Sequence, residues 1–272
     1  MDNIAFSVDV EPDLRSYNYE SITEGLPLLE KILNKYKIKP TLFITCDCLE
    51  KYPKIFKRLK NKGWEISLHG YRHQRFDDIS FNKKNKNIKK SLTCFKKYLG
   101  IVPKGFRAPQ HSLDEETINL LKRYKLCYDS SLNPWNFYHL FFFWKIKVNQ
   151  KDNFTKSSIH IRNGLTEIPI TSFFMPFSSV TLRIFPDFLL KFFYFFISFN
   201  KNPIFFIHSW DLIEINDSKI YRLCHLNKFL KKLDKMLFYF SKKRNFKTIE
   251  EIYHQFKLES NTLSQEKHMG VL

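Results

Sequence analysis

Short apolar runs alternate with amphipathic stretches along nearly the whole chain. Residues 3–9 read as a strand, and Ser21-Ile-Thr-Glu24 has the form of a capping box opening a helix. Leu26, Leu29, Ile32, Leu33 and Tyr36 then recur at helical spacing ahead of Pro40. Residues 40–45 and 64–69 predict a second and third strand, with a Lys-rich helix over about 49–62 between them. A helix is expected next, and 105–108 reads as a strand end. Ser112-Leu-Asp-Glu115 offers a second capping box for a helix ending near Tyr124, and 126–129 is strand-like. After an irregular aromatic stretch, 131–162, further strands are expected at 166–171 and 203–208, flanking a Phe-rich helix over about 187–199. Ile220, Leu223, Leu226, Leu230, Leu233 and Leu237 line one face of a late helix. This alternation, with no linker and no repeat, predicts a single α/β domain with parallel strands, closed as a barrel or doubly wound. Residues 1–258 form the expected domain and 259–272 a polar tail.

Composition narrows the class. Hydrophobic residues make up 43% and charged residues 26%, which supports a sizeable core and excludes wholesale disorder. Lys and Arg number 45 against 27 Asp and Glu, a net charge of +18. No acid lies between Asp78 and Asp114, a block holding Lys83, Lys84, Lys86, Lys89, Lys90, Lys96, Lys97, Lys104 and Arg107. Such a block either attracts anions or is a solvated helix face; the second is expected, and nucleic acid is not the favoured partner. Five cysteines, an odd count in a long chain, predict no disulfide framework. Met1-Asp2-Asn3 enters a strand at once, without the basic and apolar segments of a leader. The greasiest run, 188–199, contains Lys191 and falls short of the roughly 20 apolar residues of a membrane span. A reduced, cytoplasmic protein is expected, with that run either buried in a barrel wall or resting on an anionic membrane face.

Polar residues sit where the predicted strands end: Asp9 with Glu11, His69 with His73, Arg107, Asp129 and His208. Parallel α/β folds collect their chemistry there. Two imidazoles four apart can chelate a divalent ion if a carboxylate completes the site. Asp9 and Glu11, two apart on an extended segment, point the same way, so one could bind metal while the other acts as a base. An acidic turn before Pro12 is the plainer reading. A guanidinium at Arg107 could hold such a base ionised. His208 is a core histidine or an acid catalyst. Asp129-Ser-Ser and Trp135 read equally as a turn and a packing aromatic, and Cys46-Asp-Cys48 as inert thiols.

In order, Val8-Asp-Val-Glu11, His69-Gly-Tyr-Arg-His73, Phe106-Arg-Ala-Pro109, Tyr128-Asp-Ser-Ser131 and His208-Ser-Trp210 resemble the polysaccharide deacetylase family. This is the NodB-homology fold, or carbohydrate esterase family four, and the resemblance covers about residues 3–255. It implies a distorted (β/α) barrel holding one divalent metal ion, usually zinc. It also implies hydrolysis of an N-acyl group, in the first instance N-acetyl, on an amino sugar in a glycan or glycoconjugate. Carried over by position, His69, His73 and Glu11 would be the ligands, Asp9 the base, Arg107 its brace and His208 the acid. A backbone N–H near Gln110 would face the oxyanion, with Asp129 and Trp135 as supporting or substrate-contacting residues. Two departures stand out. The family's adjacent acids are split by Val10, and its Asp-Trp pair survives only as Asn133-Pro-Trp135. Glu167 and Asp211 are therefore the candidates to support His208. A deformylase acting on a polyprenyl-linked sugar, a ring-opening amidohydrolase of the same fold and a non-catalytic anion-binding protein are the alternatives.

Overall fold

The computed structural model describes residues 2–14, 16, 18–134, 156–215 and 219–268. Strand β1 (Asn3–Val10) is buried along its full length, as its largely apolar sequence, broken at Ser7 and Asp9, suits a parallel strand covered on both faces. A π-helical turn, Ser21–Gly25, leads into α1 (Leu26–Asn34). Its first amides are not capped by the expected box at Ser21. The Asp13 carboxylate accepts from Glu20 N–H at 2.7 Å and Ser21 N–H at 3.3 Å, a cap reached from an earlier loop. After β2 (Thr41–Ile44), the single helix expected over 49–62 divides into α2 (Cys46–Lys51) and α3 (Pro53–Asn61). Pro53 has no N–H to give and fits only at a helix start.

β3 (Glu65–Leu68) and α4 (Phe81–Leu99) follow, then β4 (Gly105–Phe106) and α5 (Glu115–Arg123). Asp114, not Ser112, caps α5, accepting from Thr117 N–H at 2.9 Å; the Ser112 hydroxyl accepts from Phe76 N–H instead. β5 (Tyr128–Asp129) is followed by an antiparallel pair, β6 (His160–Arg162) and β7 (Leu165–Glu167), and a small hairpin, β8 (Ser172–Phe173) with β9 (Met175–Pro176). Helices α6 (Ser179–Ile184) and α7 (Asp187–Ile197) lead to β10 (Ile204–His208). The late helix divides into α8 (Lys219–Leu223) and α9 (Leu226–Ser241), and β11 (Asn245–Phe246) precedes α10 (Ile249–His268). That last helix continues past residue 258, into the stretch expected to be a polar tail.

The main sheet runs β10-β1-β2-β3-β4-β5-β7-β6, with β11 added at the start of β1. Every pairing along it is parallel except β6 with β7, and among the described residues β10 and β6 do not meet. The result is one α/β domain whose sheet curls into an open, distorted barrel, as expected. Register brings the strand ends together: Asp9 opposite His208 and Phe43, Leu68 opposite Phe106, Phe106 opposite Asp129, and Asp129 opposite Glu167.

The opposite end of the sheet is closed by Glu65, at the start of β3. Its carboxylate accepts from Ser67 Oγ at 2.8 Å, Thr41 Oγ1 at 2.7 Å, the Glu250 amide at 2.9 Å and the Tyr128 hydroxyl. One acid thereby fixes β2, β3 and β5 and caps the start of α10. Tyr128 reaches it only because residue 105 is glycine: a Cβ there would lie 2.2 Å from the Tyr128 hydroxyl oxygen.

Candidate active site

At the carboxyl end of the strands, β1 delivers Asp9 and, just beyond it, Glu11, both buried. His69 follows β3 directly and is anchored by its N–H to the Ile44 carbonyl at 3.0 Å. Its Nδ1 lies 2.8 Å from the Arg107 carbonyl, which can only accept, so the proton sits on Nδ1 and Nε2 keeps its lone pair. Burial, ahead of the neighbouring charges, pulls this imidazole down to about 3, so it is neutral at ordinary pH. Gly70, at φ +87°, turns the chain sharply and lets His73 fold back, its ring 5.4 Å from that of His69. His73 Nε2 is 2.7 Å from Glu11 Oε2.

One ligand atom each from Glu11, His69 and His73 lie within 4.8 Å of one another. Burial drives the Glu11 carboxyl above its ordinary range, against the pull of His73. Its Oε1 is buried with no hydrogen-bond partner. Two imidazoles and a carboxylate, one of whose oxygens is buried without a hydrogen bond, are a donor set that suits a divalent ion with an open coordination position.

Asp9 stands beside this set and is held differently. Arg107, fully buried, donates from Nη1 to Asp9 Oδ1 at 2.8 Å and to Ser7 Oγ at 3.0 Å. Its Nε reaches the Ser130 carbonyl at 2.9 Å, its Nη2 the Ser130 hydroxyl at 3.0 Å, and the guanidinium lies 4.2 Å over the Phe43 ring. Burial pushes the Asp9 carboxyl up, but Arg107 and the nearby imidazoles outweigh it and hold it down at about 2. It is an ionised acceptor at neutral pH.

His208, partly exposed, faces the cluster from β10, with Nε2 4.0 Å from Glu11 Oε1. Its ring is stacked on Trp210 at 4.3 Å. Asp211 accepts from the His208 amide at 2.9 Å and has Oδ2 3.8 Å from Nδ1. Burial draws the imidazole down, yet Asp211, Asp9 and Glu11 together raise it above its ordinary value. Asp211 is itself fixed by the Tyr221 hydroxyl at 2.8 Å and Arg183 at 3.4 Å. Arg183 is clamped between the rings of Tyr221 and Phe229, each 4.2 Å away.

Glu167, the other candidate beside His208, is engaged elsewhere. It accepts from Leu132 N–H at 3.1 Å and is hydrogen-bonded to Asp129, its register partner. Burial and that acid neighbour push Glu167 well up, so the pair keeps a proton between them. Asp129 in turn holds Ser131, whose hydroxyl accepts from Ala108 N–H at 2.7 Å, so it braces the loop carrying Arg107. Gln110 lies exposed in that loop at φ +53°, and Trp135 lies outside the described residues. His111 escaped the sequence reading. It sits at φ +56° with its ring against Phe206 and Nδ1 buried without a partner, and burial pulls it down to about 4. Its only sequence signal is its position four residues after Arg107. All five cysteines are free thiols; Cys46 and Cys48 are buried, and neither belongs to the Glu11, His69 and His73 set.

Residues 3–128 match the profile of the family described as polysaccharide deacetylase. Among curated proteins, a peptidoglycan deacetylase-like protein of Gibberella zeae is 36% identical over 111 residues. The match covers 40% of this chain and 33% of that protein, so the chain spans about a third of that relative's length. The peptidoglycan N-acetylglucosamine deacetylase Bc1960 superposes with a TM-score of 0.55 at 18% identity, covering 92% of this chain and 86% of that one. The allantoinase Puue superposes with a TM-score of 0.65 at 13% identity, covering 93% and 89%. At these identities the two structures establish a common fold.

Proposed function

As a relative of the polysaccharide deacetylases over residues 3–128, the chain is, we propose, a metal-dependent hydrolase that removes the N-acyl group from an amino sugar of a glycan or glycoconjugate. The observation that carries this reading is the convergence of Glu11, His69 and His73 around a buried carboxylate oxygen with no partner, beside the ionised Asp9 and the half-buried His208. Zinc or another divalent ion held by those three residues would supply Lewis acidity toward water and the acyl carbonyl.

The chain's own residues divide the proton work. Asp9, kept charged by Arg107, takes the proton of the attacking water. His208, on the other side, gives a proton to the departing amine, without which nitrogen is a poor leaving group. Asp211 and Trp210 fix the ring that does so. Arg107 touches no substrate; it holds Asp9 in place and is held in turn by Ser130. A backbone N–H in the Gln110 turn is the protein's donor for the developing oxyanion.

The test is metal analysis of the purified protein together with identification of the acid released from a panel of N-acetylated and N-formylated sugars, free, polymeric and lipid-linked. One bound divalent ion and release of acetate from N-acetylglucosamine oligomers supports the reading. Formate from a polyprenyl-linked sugar would make it a deformylase, and no acid from any substrate by the metal-loaded protein would end the catalytic reading.

A further inference from the structure

The Phe-rich helix α7 is apolar on both sides. Leu190, Phe193, Tyr194 and Ile197 face inward and are buried. Phe188, Phe192 and Phe195 on the helix and Phe199 in the turn just past its end, at steps of four, three and four, form the outward stripe and are 70%, 59%, 55% and 73% exposed. The stripe is continuous with the β8–β9 hairpin, because Phe196 stacks face to face on Phe173 at 4.3 Å and Phe173 touches Phe174 at 4.9 Å. Phe174 forms the hairpin tip, 53% exposed and at φ +59°, a left-handed conformation unfavourable to any residue but glycine. A strained turn thus holds a fifth exposed aromatic ring out into solvent beside the helix.

We propose that this face is a docking surface for an anionic lipid bilayer, with α7 lying in the interface plane. Eleven residues make a helix of about 16 Å, too short to cross and suited to lying flat. The charge around it selects the partner. No acid occurs from 188 to 210, a stretch that carries Lys191 and Lys201, the latter paired with Glu259 at 2.9 Å. Asp187, at the helix start, is already engaged by Lys235. The neighbouring α9 packs on α7 through Tyr239 against Tyr194 and adds Phe238, with Lys242 4.2 Å over its ring. A second copy of a chain carrying +18 would bring like charge to this face, whereas anionic headgroups meet the lysines while the rings enter the acyl boundary. The inference does not depend on the proposed catalysis.

The experiment is vesicle flotation of the full chain with phosphatidylcholine alone and with phosphatidylcholine mixed with phosphatidylglycerol. The protein should float with the anionic vesicles, more weakly as salt rises, and not with the neutral ones. Replacing Phe188, Phe192, Phe195 and Phe199 together by Gln should lower partitioning by at least about tenfold. Phe174→Gly relieves the strained turn, so it should raise the melting temperature while lowering partitioning. That opposite movement keeps the test decisive even if the fourfold variant folds poorly. No flotation with anionic vesicles, equal flotation with neutral ones, or unchanged binding by both variants overturns the proposal. So does a concentration-dependent dimer, seen by sedimentation, that the fourfold variant abolishes, since the face would then belong to self-association.

Discussion

Two buried carboxylates sit at opposite ends of the same sheet, and their surroundings differ in kind. Glu65, where β3 begins, accepts from two side-chain hydroxyls, a tyrosine and a backbone amide. Glu11, just past the end of β1, touches His73 with one oxygen and has no hydrogen bond on the other, which His208 approaches only to 4.0 Å. A buried polar atom without a partner costs about 1–3 kcal/mol, and on Glu11 that atom belongs to a carboxylate grouped with two imidazoles. The satisfied acid is a structural pin, and the unsatisfied one is the proposed carboxylate ligand of the Glu11, His69 and His73 set. Asp211 and Glu167 are both hydrogen-bonded and differ in partner: Asp211 holds the His208 amide, and Glu167 is paired with Asp129.

The largest effect expected along this divide is at the reactive end. His208→Ala should reduce turnover on an N-acyl sugar by about 10² to 10⁴ while leaving metal content and melting temperature near wild type. Glu65→Ala should do the reverse. Stranding the Tyr128 hydroxyl, the Thr41 hydroxyl and the Glu250 amide should cost about 3 kcal/mol or more of stability, read by urea unfolding, with metal stoichiometry kept in the folded protein. Asp211→Asn should lower turnover by about tenfold at unchanged metal content, because His208 loses orientation and keeps its ring. If Asp211→Asn has no effect and Glu167→Gln does, the assignment of the supporting acid is reversed.

The smallest effect is a slope. Burial sets the Glu65 carboxyl above its ordinary 4.5 despite its four donors, so the folded state holds its proton to higher pH than the unfolded chain. Its contribution to stability is therefore complete below the unfolded value and lost as pH rises through the folded one. Melting temperature followed across that window should fall more steeply for wild type than for Glu65→Gln, which cannot titrate; equal slopes would show that Glu65 does not control it.

Much of this was legible in the sequence, for identifiable reasons. Parallel strands buried on both faces leave long apolar runs, so β1 and β10 stand out, and each carries a polar residue at or next to its carboxyl end, Asp9 and His208, on the side of the candidate site. Asp9, Glu11, His69, His73, Arg107 and His208 were readable because each lies at the carboxyl end of a strand or within a few residues past it. What was hidden depends on distant contacts. Glu65 reads as an ordinary first residue of a strand until Tyr128 and α10 arrive from 63 and 185 residues away. The choice between Asp211 and Glu167 needs the register of β5 with β7. The paired strands β6 to β9 span two or three residues each, too few to show an alternation. Helix α7 is so uniformly apolar that periodicity could not say which of its phenylalanines face out.

The central claim is that the two acids of the β1 end do different work, Glu11 binding metal and Asp9 moving a proton. Metal stoichiometry after equilibrium dialysis, with turnover at equal bound metal, tests it directly in Asp9→Asn and Glu11→Ala. Asp9→Asn should retain the ion and lose turnover by about 10² to 10⁴, and Glu11→Ala should lose the ion itself. The account is contradicted if Asp9→Asn releases the metal while Glu11→Ala keeps it, or if neither change touches metal or rate.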